Sequence, residues 1–370
     1  MIMCYTAMVG AIAEIHKFFP QYDVVVIQTG VTAINLMIIL GAVSAGWLSL
    51  MASKKRLILT GLLLISVGGA GGFFFHDTIQ LFYFWSLVIG AGFGHFTPTV
   101  SSLLVDYFEG VERNRVAGMQ TSFVNGGGMA LTFFGGLLAA IAWNYSYLIF
   151  LIAVPLFIVF LVNFPRKNEY DGKRSDWRKI PKSVAYYCVS VVGFMLVYNA
   201  FHSNIAFFIS EKHFADPSMA GGVSAVFMSG GVFFGFLFSK VSLKIGDYLF
   251  GLAHTMLVIC YFSLCFTHTL AIVFPVAFIG GMSISMTMSQ ALYSVSTRIP
   301  PQTSVAVFSL VASVSPNIAT FISPTVIGLL SRLVSDAGDS ISRLTAAGCL
   351  ALTFALIQYI VVTVRRRKEA

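Results

Sequence analysis

The sequence predicts an all-α integral membrane protein of twelve transmembrane helices in two pseudo-symmetric six-helix bundles, and three observations carry this. Hydrophobic residues make up 57% of the 370 positions and charged residues only 10%, with a mean hydropathy of +0.84. A soluble chain carries charge at about a quarter of its positions, so this surface faces lipid. The apolar residues fall into runs near the ~20 needed to cross a bilayer, and a single long polar segment divides the runs six and six.

The runs are read in order from their polar punctuation. The first, 1–16, closes at Glu14, His16 and Lys17 and is too short to cross comfortably. The expectation is an encoded start further upstream or a shortened first helix. A cleaved signal peptide is disfavoured, since no basic leader precedes the run and no small-residue cleavage site follows it. The second, 24–49, lies between Asp23 and the basic run Lys54, Lys55, Arg56. The third, 57–75, stops at His76, and the fourth, 79–105, stops at Asp106. Arg113 and Arg115 precede the fifth at 116–140, and the sixth at 143–164 ends at Pro165. Beyond the polar segment, 183–210 closes at Glu211 and Lys212, and 219–239 closes at Lys240. The last four are 246–267, 269–296, 302–331 and 344–364, bounded by His268, Arg298, Arg332 and the run from Arg365 to Lys368.

With this layout, nineteen of the 23 Lys and Arg fall on the side that carries the C-terminus, and only Lys17, Lys212, Arg332 and Arg343 fall on the other. Cationic loops stay in the cytoplasm. The expected location is therefore the cytoplasmic membrane of a cell, multi-pass, with both termini cytoplasmic. The net charge of +8 is spread over loops between apolar helices, an orientation signal rather than a nucleic-acid surface, so no nucleic-acid partner is expected. Cys4, Cys188, Cys260, Cys265 and Cys349 all lie within runs and show neither ligand spacing nor a disulfide framework. No metal site is expected.

The polar segment, PRKNEYDGKRSDWRKIPK at 165–182, reads as a hydrated linker between domains at 1–164 and 183–370. Its basic residues can also meet lipid headgroups. The halves carry a faint repeat: IGAGFGHFTPTVSSLLVD from 89 lies on IGGMSISMTMSQALYSVS from 279, and VNGGG lies on SPNIA. With an offset that drifts from 190 to 192 across the intervening loop, His95 matches Ser285 and Asn125 matches Asn317. Transporters built from repeats place their site where the halves meet.

Four stretches resemble the major facilitator superfamily: AIAEIHKFFP at 12–21, AGWLSLMASKKR at 45–56, DYFEGVERNRVAGMQ at 106–120 and NYSYLIFLIAVPLF at 144–157. The second stands where that family carries its loop motif of glycine, leucine, aspartate, glycine and paired basic residues. Gly46, Leu48, Lys54, Lys55 and Arg56 remain, while Leu50 and Ser53 replace the aspartate and second glycine. The resemblance implies a gating role for Gly46 and a need for another latch. It also implies a gate pair of Asp106 and Arg113, against which solvated loop charge is an equal reading. Ser86 stands where many proton-driven members carry arginine. Leu131 and Thr132 stand in place of the antiporter kink, with Gly135 and Gly136 retained.

In this family's fold spans 1, 4, 7 and 10 line a central cavity and 3, 6, 9 and 12 face lipid. That placement makes His95 a substrate-binding and proton-coupling candidate, because an ionisable residue at membrane depth marks function and histidine changes charge between about pH 5 and 8. A neutral histidine bonded to a neighbouring hydroxyl or carbonyl is the competing reading. Tyr198, Asn199 and His202 share one turn of span 7 and form a second binding cluster. In span 10, Gln290 belongs to a polar strip with Ser285, Ser289 and Tyr293. Asn125 and Asn317 bond across the halves or touch substrate. Glu14 is an interfacial acid or a proton relay, and His254 is structural.

Lysine and arginine are absent from the predicted midplane, so a carboxylate or phosphate clamp is missing. A small neutral, zwitterionic or amphipathic organic solute fits better, held by aromatic walls and a few hydrogen bonds. The resemblance thus implies a monomeric secondary transporter, surrounded by membrane lipid, working by alternating access with proton coupling. No cofactor, catalytic residue or enzyme activity is expected, since nucleotide-binding glycine loops, zinc motifs and a buried Ser-His-Asp set are missing. A transport-deficient sensor or binding protein of the same fold remains the alternative, and a membrane enzyme a more distant one.

Overall fold

The structure, a computed structural model, describes residues 12–22, 24–49, 51–164, 180–214, 219–335 and 339–369. Among these residues the chain is helical, in order α1 Ile12–Phe18, α2 Val24–Leu48, α3 Lys54–Phe74, α4 Ile79–Tyr107, α5 Gly110–Ile141, α6 Trp143–Asn163, α7 Ser183–Glu211, α8 Met219–Ile245, α9 Tyr248–Cys265, α10 Leu270–Ser296, α11 Pro301–Ser331 and α12 Ser340–Glu369. Eleven of them, α2 to α12, are long and apolar enough to cross a membrane. The expected first span falls largely outside the described residues, as do Leu50 and most of the linker.

Local chemistry sets the boundaries. Ser53 caps α3, its hydroxyl accepting from Arg56 N at 3.4 Å. The short reversals after α4 and α8 turn on Gly110 (φ +50°) and Gly246 (φ +63°), backbone conformations that glycine adopts without cost. Two helices depart from α geometry. α6 begins as a 3-10 segment, Trp143–Ile152, and α11 contains a π segment, Ser309–Val314, just before Pro316. Proline supplies no N–H to the preceding turn, and π segments recur at functional sites.

By contact the chain forms two compact units. The first holds α1 to α4, α5 from Gly127 onward, α6 and the early part of α11 through Asn317. Its core gathers Phe82, Phe93, Trp143, Tyr147 and Phe150. The second holds the early part of α5 through Gly126, α7 to α10, and the chain from Ile318, with Tyr187, Phe194, Phe201, Phe227 and Tyr261 fully buried. Each unit therefore joins its own helices to a segment from the other half of the sequence.

Glycine sets the closest helix approaches. In the first unit a Cβ on Gly94 would stand 2.6 Å from Gly41 Cα, and one on Gly41 2.8 Å from Ala91 O. In the second unit a Cβ on Gly230 would strike Phe278 O, and one on Gly281 would strike Phe227 O. Small residues let helix backbones touch. Residues 41 and 91 of the first crossing lie 190 positions before 231 and 281 of the second, the same register in which His95 matches Ser285.

Candidate functional site

α4 and α7 are the most buried spans, with 78% and 67% of their apolar windows covered, against 28% for α6 and 33% for α12. Spans 4 and 7, expected at the centre, are thus the most covered, while α5 at 31% and α9 at 50% depart from the expected order of cavity-side and lipid-facing spans. In the first unit His95 follows Gly94 at the α2–α4 crossing and is buried. Its Nδ1 lies 2.9 Å from Ala91 O and its Nε2 3.4 Å from Ser44 Oγ, while Ser44 Oγ donates to Gly41 O at 2.8 Å. A carbonyl only accepts, so Nδ1 carries a proton. A hydroxyl both donates and accepts, so Ser44 can answer Nε2 in either protonation state. With its hydrogen on Nε2 it serves the neutral ring, and with its hydrogen on Gly41 O it accepts from the charged one. At the matching place in the second unit, Ser285 Oγ donates to Gly231 O at 2.6 Å.

The span 7 cluster forms in the second unit. Tyr198 is buried, and its ring lies 5.0 Å from Phe227 and 5.6 Å from His202. Phe227 also stacks on Phe201 at 3.9 Å and meets the edge of exposed His202 at 5.2 Å. Asn199 Nδ2 donates to Met195 O at 2.8 Å and to Thr320 Oγ1 at 2.9 Å, which ties α7 to the later part of α11. The structure thus brings Tyr198 and His202 together around Phe227, while Asn199 turns to Thr320. The stacked rings are covered by their neighbours, and the exposed imidazole of His202 is the polar group that this cluster leaves open.

Other predicted residues sit elsewhere. Gln290 is buried at the basic end of the second unit, with its amide fully used. Its Nε2 donates to Asp247 Oδ1 at 2.8 Å and to Ser294 Oγ at 2.9 Å, and its Oε1 accepts from Ser242 Oγ at 2.7 Å. Asn114 Nδ2 extends the chain to Ser242 at 3.0 Å, and Tyr187 OH completes Asp247 at 3.0 Å. Gln290 is therefore reassigned from solute contact to this network. Asn125 and Asn317 each donate to the carbonyl four residues back, Thr121 O at 2.9 Å and Ser313 O at 2.7 Å. Asn125 Oδ1 is buried without a partner. Glu14 forms an exposed pair with Lys17 at 2.6 Å, beside an open cleft of about 430 Å3 shared with His76 and Trp143.

The residues expected at the gate make contacts in both units. In the first unit a Cβ on Gly46 would lie 3.3 Å from Ala306 Cα, so α2 and α11 nearly touch there. Lys54 Nζ donates to Asp106 Oδ2 at 2.7 Å and Ser304 Oγ at 2.8 Å. In the second unit Arg113 Nη1 donates to Ser296 O at 2.7 Å and Nε to Phe108 O at 2.6 Å, a cation at the carbonyl end of α10. Gly235 presses on Gly118 O and Ser122 there. Asp106 and Arg113 thus belong to different units, each with partners of its own. Sequence reading gave Lys54 to the loop motif and to orientation without pairing it with Asp106, and it missed Gly235. Asp247 and Ser44 carried no sequence signal beyond residue type. Among the described residues no cluster of three or more metal-ligating side chains occurs.

Comparison with known proteins follows this geometry. The chain matches the Major Facilitator Superfamily over residues 2–324. Among solved structures, the proton:xylose symporter XylE is 14% identical with a TM-score of 0.73, covering 97% of this chain and 92% of that one. A bacterial homologue of the iron transporter ferroportin, in an outward-facing state, is 12% identical with a TM-score of 0.69, covering 97% of both chains. The Escherichia coli fucose:proton symporter FucP is 15% identical with a TM-score of 0.67, covering 96% and 97%. At such identity these likenesses speak for the fold alone, whereas the family match spans most of the chain. The protein is a multi-pass membrane protein that belongs to the Major Facilitator Superfamily of transporters.

Proposed function

We propose that the protein is a secondary active transporter that moves a small neutral, zwitterionic or amphipathic organic solute across the cytoplasmic membrane by alternating access, with proton coupling at His95. The observation that carries the coupling is the His95–Ser44 contact beside the α2–α4 crossing. A buried imidazole whose partner accepts or donates can gain a proton without losing its bond. The helices around it are packed backbone to backbone, so a change of charge there acts on the α2–α4 crossing itself. XylE and FucP are named as proton symporters, which supports proton coupling as a class and leaves the solute open.

The solute is assigned to the second unit, at the exposed His202, whose ring is backed by the buried Tyr198, Phe201 and Phe227. The basic end is taken as cytoplasmic, with both termini there. The Lys54–Ser304 and Arg113–Ser296 bonds join residues from the two sequence halves at this end, so in our reading they close it and break when it opens.

The test begins with thermal unfolding of detergent-purified protein against a metabolite panel at about pH 5.5 and 7.5, since a ligand of the folded state raises the midpoint. Flux of the stabilising compound into proteoliposomes is then followed with and without an imposed proton gradient. Gradient-driven uptake that His95→Ala abolishes supports the reading, and equal flux by His95→Ala at both pH values sinks the coupling. A transport-deficient sensor is the second reading, favoured by the loss of the motif aspartate at Leu50. Ligand binding without any flux would establish it.

A further inference from the structure

α12 ends in four cations, Arg365, Arg366, Arg367 and Lys368, and the first two are pinned. The Arg365 guanidinium lies over the Tyr186 ring, 3.7 Å from its centroid. Arg366 lies over Tyr248 at 4.6 Å and donates Nη2 to Ile245 O at 2.8 Å. Both rings are themselves fixed. Tyr186 OH donates to Gln358 Oε1 at 2.7 Å, Gln358 Nε2 donates to Ser190 Oγ at 2.9 Å, and Tyr248 OH lies 3.1 Å from Thr363 Oγ1. Gly246 leaves room for Arg366, since a Cβ there would stand 2.9 Å from its Nη2.

Among the described residues neither guanidinium has a carboxylate partner. The ion pairs found among the described residues are Lys17–Glu14 and Lys54–Asp106. Asp247, the acid in the loop beside Gly246, is bonded instead to Gln290, Ser294 and Tyr187. A guanidinium offers five donors, and of these the structure uses one on Arg366. Two stacked, unneutralised forks held in place suit phosphate oxygens.

The rest of α12 identifies the source of that phosphate. Leu352, Leu356, Ile360 and Val364 recur every four residues and are 46%, 56%, 63% and 47% exposed, so they share one face. Exposed Arg367 stands three residues beyond Val364, at the head of this stripe. An aliphatic stripe leading to fixed cations fits acyl chains below a charged headgroup, and a free phosphate has no use for it. We propose that the end of α12, with Tyr186 and Tyr248, is a binding site for an anionic phospholipid of the leaflet at the basic end.

The experiment uses the full chain, delipidated in detergent, with bound lipid followed by native mass spectrometry and stability by thermal midpoint. Phosphatidylglycerol should remain bound and raise the midpoint, whereas phosphatidylcholine and inorganic phosphate should not. Arg365→Gln/Arg366→Gln should weaken retention by about thirtyfold, from roughly 0.7 of a logarithmic unit per basic residue near a membrane. Lys240→Gln/Lys244→Gln removes equal charge at the same end and should leave retention unchanged. If the double Gln variant fails to fold, Arg365→Lys/Arg366→Lys keeps the charge, removes the stacked forks and should still lose most of the retention. Equal effects of phosphatidylcholine, equal stabilisation by inorganic phosphate, or equal loss in the Lys240/Lys244 variant would each overturn the proposal.

Discussion

Lys54 Nζ sits 2.7 Å from Asp106 Oδ2, with side-chain exposures of 15% and 9%, and the same ammonium reaches Ser304 Oγ at 2.8 Å. One cation at the start of α3 therefore joins the end of α4 to the start of α11. The loop motif has lost its aspartate, and its Lys54 pairs instead with Asp106 at the end of α4.

Removing one member of that pair takes the buried counter-charge from the other, which in other proteins costs about 3–5 kcal/mol. Lys54→Met should thus lower the thermal midpoint markedly, and Lys54→Met/Asp106→Leu should recover much of the loss. A double variant as unstable as the single one would show that the pair is not the cause.

The α8–α10 crossing leaves no space for a methyl group. Gly281→Ala, whose Cβ would strike Phe227 O, should abolish the monodisperse folded protein in size-exclusion chromatography. Gly328→Ala meets nothing within 4 Å and should be neutral or stabilising by up to about 1 kcal/mol, the helix preference for alanine over glycine.

Gln290 binds Asp247, Ser294 and Ser242 rather than standing open to solute. Gln290→Met should therefore lower the thermal midpoint while leaving the solute Kd within about twofold, because the buried hydroxyl and carboxylate lose a partner worth about 1–3 kcal/mol. Isothermal titration separates the two effects, and a tenfold weaker Kd at unchanged stability would return Gln290 to the solute site.

Asp339 caps α12, its Oδ1 accepting from Ser342 N at 3.0 Å. The Ser342 hydrogen bond holds its carboxyl below the usual carboxylate range. A depressed folded value means that this stabilisation is complete above the unfolded pKa, near 4, and is lost as pH falls through the folded one. The wild-type midpoint should fall more steeply than that of Asp339→Ala below about pH 4, and at neutral pH the variant should be less stable by about 1 kcal/mol.

Much of the fold was legible because lipid is a simple solvent. Backbone polar groups must be satisfied within each span, so long apolar runs can only be helices, and the expected breaks at Lys54, Asp106, Glu211 and Arg298 fall within a few residues of the observed ends. The candidate site was legible only in part. Tyr198 and His202 meet because residues four apart share a helix face whatever surrounds them, whereas Asn199, one position from Tyr198, turns to Thr320. Gln290 misled, since its amide looks the same in sequence whether it meets a solute or Asp247.

The sequence by itself determined the membrane class, the order of the spans, the repeat register linking His95 to Ser285, and the family, because hydropathy, charge placement and small-residue spacing are properties of the chain's order. Only the tertiary structure decided which side chains meet. Ser44 beneath His95, Ser304 on Lys54, Thr320 on Asn199 and Tyr186 under Arg365 each join residues more than fifty positions apart or on separate helices. Such pairs depend on how close and at what rotation two helices cross, and glycines such as Gly41, Gly94 and Gly281 set those distances by letting backbone meet backbone.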